Sequence, residues 1–192
     1  MKILALYGSP RKDGNTDILL DEFLRGAESA GATVTKKYLR DMHIQPCTEC
    51  GLCDESGECI YDDDYQAVFN MIPDIDIMIV ASPIFFYGVP AIVKAFIDRS
   101  QQFWIGKYKL DTCKDVSDEN RKKGYFLSVG ATQGKKIFDG PLLNFRYFYD
   151  ALNLTFEDSF FYRGLDEKGA ASKHQELLKD CFSNGAKVVN SK

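Results

Sequence analysis

Five short apolar runs, each followed by a segment with helical apolar spacing, set what this chain can fold into. The most telling run is residues 75–81, "IDIMIVA", which is nearly all apolar. A run so short and so continuous suits a strand covered on both faces. Residues 3–7 ("ILALY"), closed by Gly8-Ser9-Pro10, and residues 125–131 ("YFLSVGA") read the same way. Residues 32–39 ("ATVTKKYL") are β-branched and half polar, as an edge strand is. "LTFEDSFFY" supplies a last strand. Between them, Leu20, Phe23, Leu24, Ala27 and Ala30 recur at helical spacing, with Gly31 as the stop. Asp62, Asp63 and Asp64 stand as acidic residues at a helix start, continued by Tyr65, Val68, Phe69 and Ile72. Pro90 suits a first helical position, and Ile92, Phe96 and Phe103 share one face beyond it. Helices are also expected over residues 141–152 and along Leu177, Cys181, Gly185 and Val189. Strand–helix alternation of this kind makes an α/β layered fold around a parallel sheet. All 192 residues are expected in a single domain.

In such sheets a ligand sits beyond the C-terminal ends of the strands, where the strand order reverses. Three loops occupy that end: "GSPRKDGNT" (8–16), "SPIFFYG" (82–88) and "SVGATQG" (128–134). The first carries Ser9, Arg11, Lys12, Asn15 and Thr16 ahead of a helix. Backbone N–H groups and a positive helix end make an anion site there, the alternative being an ordinary βα turn with Asn15 or Thr16 as helix cap. A Walker A loop would need Lys after its last glycine, but Gly14 is followed by Asn15. Neutral donors in that place suit a single terminal phosphate. The second loop brings Phe85, Phe86 and Tyr87, either as a wall for a flat ring or as plain core.

These three stretches, with "ASPIFFYGVPAIVKAFIDRS" as the longest, resemble the NADPH-dependent FMN reductase superfamily along nearly the whole chain. The resemblance implies a flavodoxin-like three-layer α/β sandwich with a five-stranded parallel sheet in the order 2-1-3-4-5. It implies that Ser9, Arg11, Asn15 and Thr16 hold the FMN phosphate. Pro83, Ile84, Phe85, Phe86 and Tyr87 would line the ring and ribityl chain, and Ser128, Gly130 and Thr132 would close the third side.

Four of the six cysteines fall within "CTECGLCDESGEC", as Cys47, Cys50, Cys53 and Cys59, inside a cysteine-rich loop at 41–61 after the second strand. The spacing C-x2-C-x2-C-x5-C favours a cubane iron–sulfur cluster, with Gly51 and Gly57 giving the backbone freedom to wrap it. Zinc is the rival, since four thiolates bind it tetrahedrally, although its sites usually space two C-x2-C knuckles further apart. A thioredoxin-like pair leaves two cysteines unexplained. Disulfides are disfavoured if the chain is cytoplasmic, which is the expectation from an N-terminal apolar run too short for a signal peptide. Cys113 and Cys181 lie outside the pattern, Cys181 on an apolar helix face. The motif resembles that of the iron–sulfur flavoproteins, a branch of the same superfamily in which it ligates a [4Fe–4S] cluster.

Charge excludes one class of partner. Between Arg40 and Lys94 there are ten Asp and Glu and no Lys or Arg, whereas a nucleic-acid binder shows a basic stripe. Neither His43 nor His174 stands out as a catalytic acid or base, so the chemistry is expected to be carried by FMN. The expected activity is an FMN-dependent oxidoreductase reducing a small acceptor such as a quinone. NAD(P)H or a ferredoxin would be the donor. Rival readings are a pure electron carrier and a protein whose cysteines are free or hold zinc. No membrane association is expected, and the resemblance implies a homodimer or homotetramer, for which "QQFWIGKY" offers aromatic contacts.

Overall fold

A computed structural model describes residues 1–111 and 121–190. Cys113 and much of the loop after Trp104 lie outside the described residues. The strands are β1 (Lys2–Tyr7), β2 (Thr33–Tyr38), β3 (Ile77–Pro83), β4 (Lys123–Gly130) and β5 (Thr155–Arg163). They form one parallel sheet in the order β2-β1-β3-β4-β5. Seven helices are described: α1 (Asn15–Ser29), α2 (Cys53–Ser56), α3 (Asp64–Phe69), α4 (Ala91–Asp98), α5 (Gln101–Tyr108), α6 (Asp139–Ala151) and α7 (Gln175–Asn190). This is the flavodoxin-like arrangement expected, with β2 on an edge.

Side-chain alternation along the strands explains why both sheet faces must be covered. Ile3, Ala5, Ile77, Ile79 and Leu127 pack against Leu19, Phe23 and Cys181 of α1 and α7. Leu4, Leu6, Met78, Val80 and Phe126 pack on the other face against Tyr65, Phe96, Phe145 and Phe148. Cys181 is therefore core, as expected, and burial pushes its thiol up to about 12.

α1 and α7 cross at two glycines. A Cβ at Gly26 would lie 1.9 Å from the Phe182 carbonyl oxygen, and one at Gly185 would lie 1.8 Å from that of Phe23. Only glycine permits so close a backbone approach.

Three local expectations change. Pro90 precedes α4 as its cap residue rather than occupying the first turn. Ile72 belongs to a short 3-10 turn after α3. Ile92, Phe96 and Phe103 share one core face as expected, but the helix that carries them is interrupted at Arg99-Ser100, where α4 ends and α5 begins. Arg99, at the break, is a charged residue that is 1% exposed and turned inward. Among the described residues no helix is long and apolar enough to cross a membrane.

Candidate functional site

A cleft of about 410 Å³ opens at the C-terminal ends of β1, β3 and β4. Its floor is the turn from Ser9 to Gly14 and the start of α1. Gly14 caps α1 with extended backbone and no side-chain hydrogen bond, so the first-turn N–H groups are left open to a ligand. Ser9, Arg11 and Thr16 line the cleft. Ser9 Oγ accepts from Arg11 N at 3.2 Å, which shapes the turn.

Asn15 also lines the cleft, but its amide is spent within the protein. Nδ2 donates to Leu165 O at 3.1 Å and Glu167 O at 2.8 Å, and Oδ1 accepts from Ala171 N at 3.0 Å. The expected amide–phosphate contact is thus replaced by a brace that holds the segment after β5 against α1. Any donor that Asn15 offers a phosphate is its backbone N–H.

A second brace lies behind the turn. Arg40 Nη1 donates to Ser9 O at 3.2 Å and pairs with Asp17 at 3.0 Å, and Asp13 N donates to Asp17 at 3.1 Å. Asp13 has a φ of +55°, the left-handed conformation that the turn demands. Burial raises the Asp17 carboxyl, and Arg40 and the Asp13 N–H only partly offset this.

The wall from β3 contributes Pro83, Ile84 and Phe85. Beyond it, Phe85 N donates to Gly88 O at 3.0 Å and Gly88 N to Phe85 O at 2.9 Å, closing a two-residue turn. Phe86 and Tyr87 fill the turn with φ of +49° and +60°. Such conformations cost about 1 kcal/mol or more each in non-glycine residues. Phe86 is fully exposed and Tyr87 is 62% exposed, so the core alternative for these aromatics does not hold. They stand on the rim beside the cleft rather than lining it. Gly140 secures the turn, because a Cβ there would lie 2.6 Å from Tyr87 O.

The third side differs most from expectation. Ser128 is fully buried and its Oγ donates to Ser82 O at 2.8 Å, tying β4 to β3. Gly130 packs under Ile137. Thr132 is exposed and outside the lining. Val129 and Ala131 take their place, because alternation along β4 turns Ser128 and Gly130 away. Leu165 and Asp166, after β5, were not foreseen. Gly164, with a φ of +74°, marks their turn and was the available clue.

A separate cavity of about 130 Å³ gathers Cys47, Cys50, Cys53 and Cys59 with Arg99 and Gln102. The segment that carries them is pinned at its ends. His43 N donates to Asp64 at 2.6 Å and Gln45 N to Asp63 at 2.9 Å. Arg99 donates to Gln45 O at 2.9 Å, Tyr61 O at 3.1 Å and Asp63 at 2.6 Å. Cys59 N donates to Gln102 Oε1 at 2.8 Å. Glu49, Gly51 and Gly57 all have positive φ, which turns the backbone around the cavity. The four thiols are unpaired, with Cys47 and Cys50 exposed and Cys53 and Cys59 half-buried. Burial, with Asp54 beside it, raises the Cys53 thiol. Among the described residues no three His, Cys, Asp or Glu side chains converge closely enough to hold a metal ion as they stand.

In the chemistry of their donors, both places suit the groups expected there. The cleft joins an open helix N-terminus to apolar walls, which matches a phosphate attached to a flat ring. The cavity joins four thiols to two buried donor nitrogens without partners, Arg99 Nε and Gln102 Nε2.

Known proteins agree with this outline. An iron-sulfur flavoprotein of Archaeoglobus fulgidus is 39% identical over 99 residues, 52% of this chain and 45% of that protein. An iron-sulfur flavoprotein of Methanosarcina thermophila is 33% identical over 133 residues, 69% of this chain and 65% of that one. The chain thus spans less than two thirds of the length of these two relatives. The solved NAD(P)H:quinone oxidoreductase from Methanothermobacter marburgensis superposes with a TM-score of 0.70 at 17% identity, covering 100% of this chain and 98% of the other. At that identity the likeness is one of fold. The family described as NADPH-dependent FMN reductase matches residues 1–137, which span β1 to the threshold of α6 and include the first two walls of the cleft, and to this family the chain belongs.

Proposed function

We propose that this chain is an FMN-dependent oxidoreductase that also carries a [4Fe–4S] cluster on Cys47, Cys50, Cys53 and Cys59, and reduces a small acceptor such as a quinone. NAD(P)H or a ferredoxin is the donor. The observation that carries the reading is the pairing of an anion-ready, apolar-walled cleft with a second cavity gathering four free thiols. α4 links them. Its chain enters from the aromatic turn and leaves into Arg99, and its eight residues span about 12 Å.

FMN supplies two-electron and one-electron chemistry when bound, and a cluster supplies single electrons. The residues of the chain position and shield. The first turn of α1 and Ser9 receive the phosphate. Arg11, exposed at the mouth, adds positive charge. Pro83, Ile84, Val129 and Leu165 exclude water from the ring, and Phe85 with the turn behind it covers its edge. No side chain is assigned the role of an acid, because the open cleft would give a bound flavin access to protons from solvent.

A homodimer belongs to the same proposal. Trp104, Leu143 and Tyr147 are exposed around a shallow groove between α5 and α6. An apolar surface of this kind suits a second copy of the chain.

Anaerobic purification tests the reading. Flavin absorption, about four irons and four sulfides per chain, and bleaching by dithionite are expected. Zinc without sulfide would assign the thiols to zinc, and absence of flavin after soaking would remove the oxidoreductase. Light scattering should give twice the chain mass, falling to one chain for Tyr147→Glu.

A further inference from the structure

Arg99 is 1% exposed, an unusual place for a guanidinium. Three of its five N–H groups donate to acceptors of the protein itself. Nη1 serves Gln45 O and Asp63, and Nη2 serves Tyr61 O. The guanidinium carbon lies 4.6 Å from the centre of the Tyr65 ring and 5.2 Å from that of Tyr61. Nε is buried and has no partner. Gln102, 5% exposed, repeats the pattern. Its Oε1 accepts from Cys59 N at 2.8 Å, and its Nε2 is buried without a partner. Both residues border the cavity of the four cysteines, and the Cys59 thiol interacts with the Arg99 guanidinium.

Two buried donors left open beside one cavity require acceptors there, because an unsatisfied buried N–H is costly. The four cysteine sulfurs are among the acceptors that the cavity offers. Asp63 balances the charge of Arg99, so what Arg99 presents is a directed N–H dipole rather than an unpaired cation.

We propose that Arg99 Nε and Gln102 Nε2 donate hydrogen bonds to the sulfur atoms of the cluster or its thiolates, and that these positioning residues raise its reduction potential. The inference rests on the cluster reading above. Reduction adds negative charge to an assembly that is already anionic, and N–H donors favour the more negative state. They thereby counter Glu49 and Asp54, which border the same cavity, and Glu55 and Glu58 beside them in the sequence, whose negative charge favours the oxidised state.

The test uses the full chain with its cluster reconstituted anaerobically. In protein grown with 15N-arginine, pulsed EPR of the reduced cluster should show a 15N coupling that disappears in Arg99→Lys. Lysine keeps the charge and lacks Nε. In a redox titration followed by EPR, Gln102→Met should lower the cluster midpoint by at least tenfold in the reduced-to-oxidised ratio, about 59 mV for one electron. The flavin midpoint, read in the same titration, should stay in place. If Gln102→Met does not hold a cluster, Gln102→Glu, which keeps the acceptor for Cys59 N, is judged by the same shift. A wild-type cluster without 15N coupling overturns the role of Arg99. An unmoved midpoint overturns that of Gln102. Wild-type protein that takes up no iron and sulfide overturns the cluster reading itself, which separates the two failures.

Discussion

Arg99 Nη1 lies 2.6 Å from Asp63 Oδ2, with both side chains almost fully buried. This contact joins the end of α4 to the cap of α3, and the cysteine segment lies between the two points where it is held. Burial alone would raise the Asp63 carboxyl. Hydrogen bonds from Arg99 and from the N–H groups of Gln45 and Tyr65 outweigh it and hold the carboxyl below the usual range.

The first prediction follows from that sign. A carboxyl lowered by folding adds stability above its unfolded value of about 3.9 and loses it as pH falls through the folded value. Asp63→Asn should therefore flatten the acid limb of stability below about pH 4. At neutral pH it should cost about 3 kcal/mol, because it leaves a buried guanidinium unpaired. Urea melts between pH 2.5 and 7 check both parts. Asp17 works in the opposite direction, its raised carboxyl losing stability as pH rises, so the wild-type minus variant difference is the quantity to read.

Asn15→Ala removes three buried hydrogen bonds to the segment after β5. The expected loss is about 2 kcal/mol in thermal or urea unfolding. Flavin affinity should fall as well, through loosening of the Leu165 wall, while iron content is unchanged. Flavin fluorescence quenching measures the affinity. An affinity loss with no loss of stability would mean that the amide contacts the phosphate directly.

Cys50→Ala should abolish iron and sulfide uptake and leave flavin stoichiometry at the wild-type value. Cys50 is exposed, so stability of the metal-free protein should move by no more than about 0.5 kcal/mol. Full iron content in this variant would show that Cys50 is not a ligand.

Gly185→Ala places a methyl group 1.8 Å from Phe23 O, so α1 and α7 must separate. The expected cost is about 2–3 kcal/mol. Because the same separation disturbs the helix proposed to receive the phosphate, flavin should dissociate faster. A stopped-flow release rate equal to that of wild type would show that the strain stops short of the cleft.

Much of this molecule was legible in its residues. The doubly apolar runs at 75–81 and 125–131 could be only central strands, and the half-polar 32–39 only an edge. The turn at 8–16 announced the floor of the cleft, and four close cysteines announced the second cavity. Side-chain direction was less legible. Ser128 and Thr132 look like ligands in a string of small polar residues, yet the pleat turns Ser128 into the sheet. Asn15 looks like a phosphate donor until its partners, more than 140 residues away in sequence, are known. Arg99 and Gln102 read as ordinary helix polar residues, since no local pattern reveals that a charged side chain points inward.

The brace from Asn15 to Ala171 also sets an order of events in the making of the protein. The loop proposed to receive the phosphate is translated first, and its supports at Leu165, Glu167 and Ala171 are translated late. A nascent chain that has not yet emerged past Ala171 has half a nest. Capture of the cofactor consequently waits until synthesis has passed Ala171, and truncation ahead of that point should yield colourless protein however well the first strands pair.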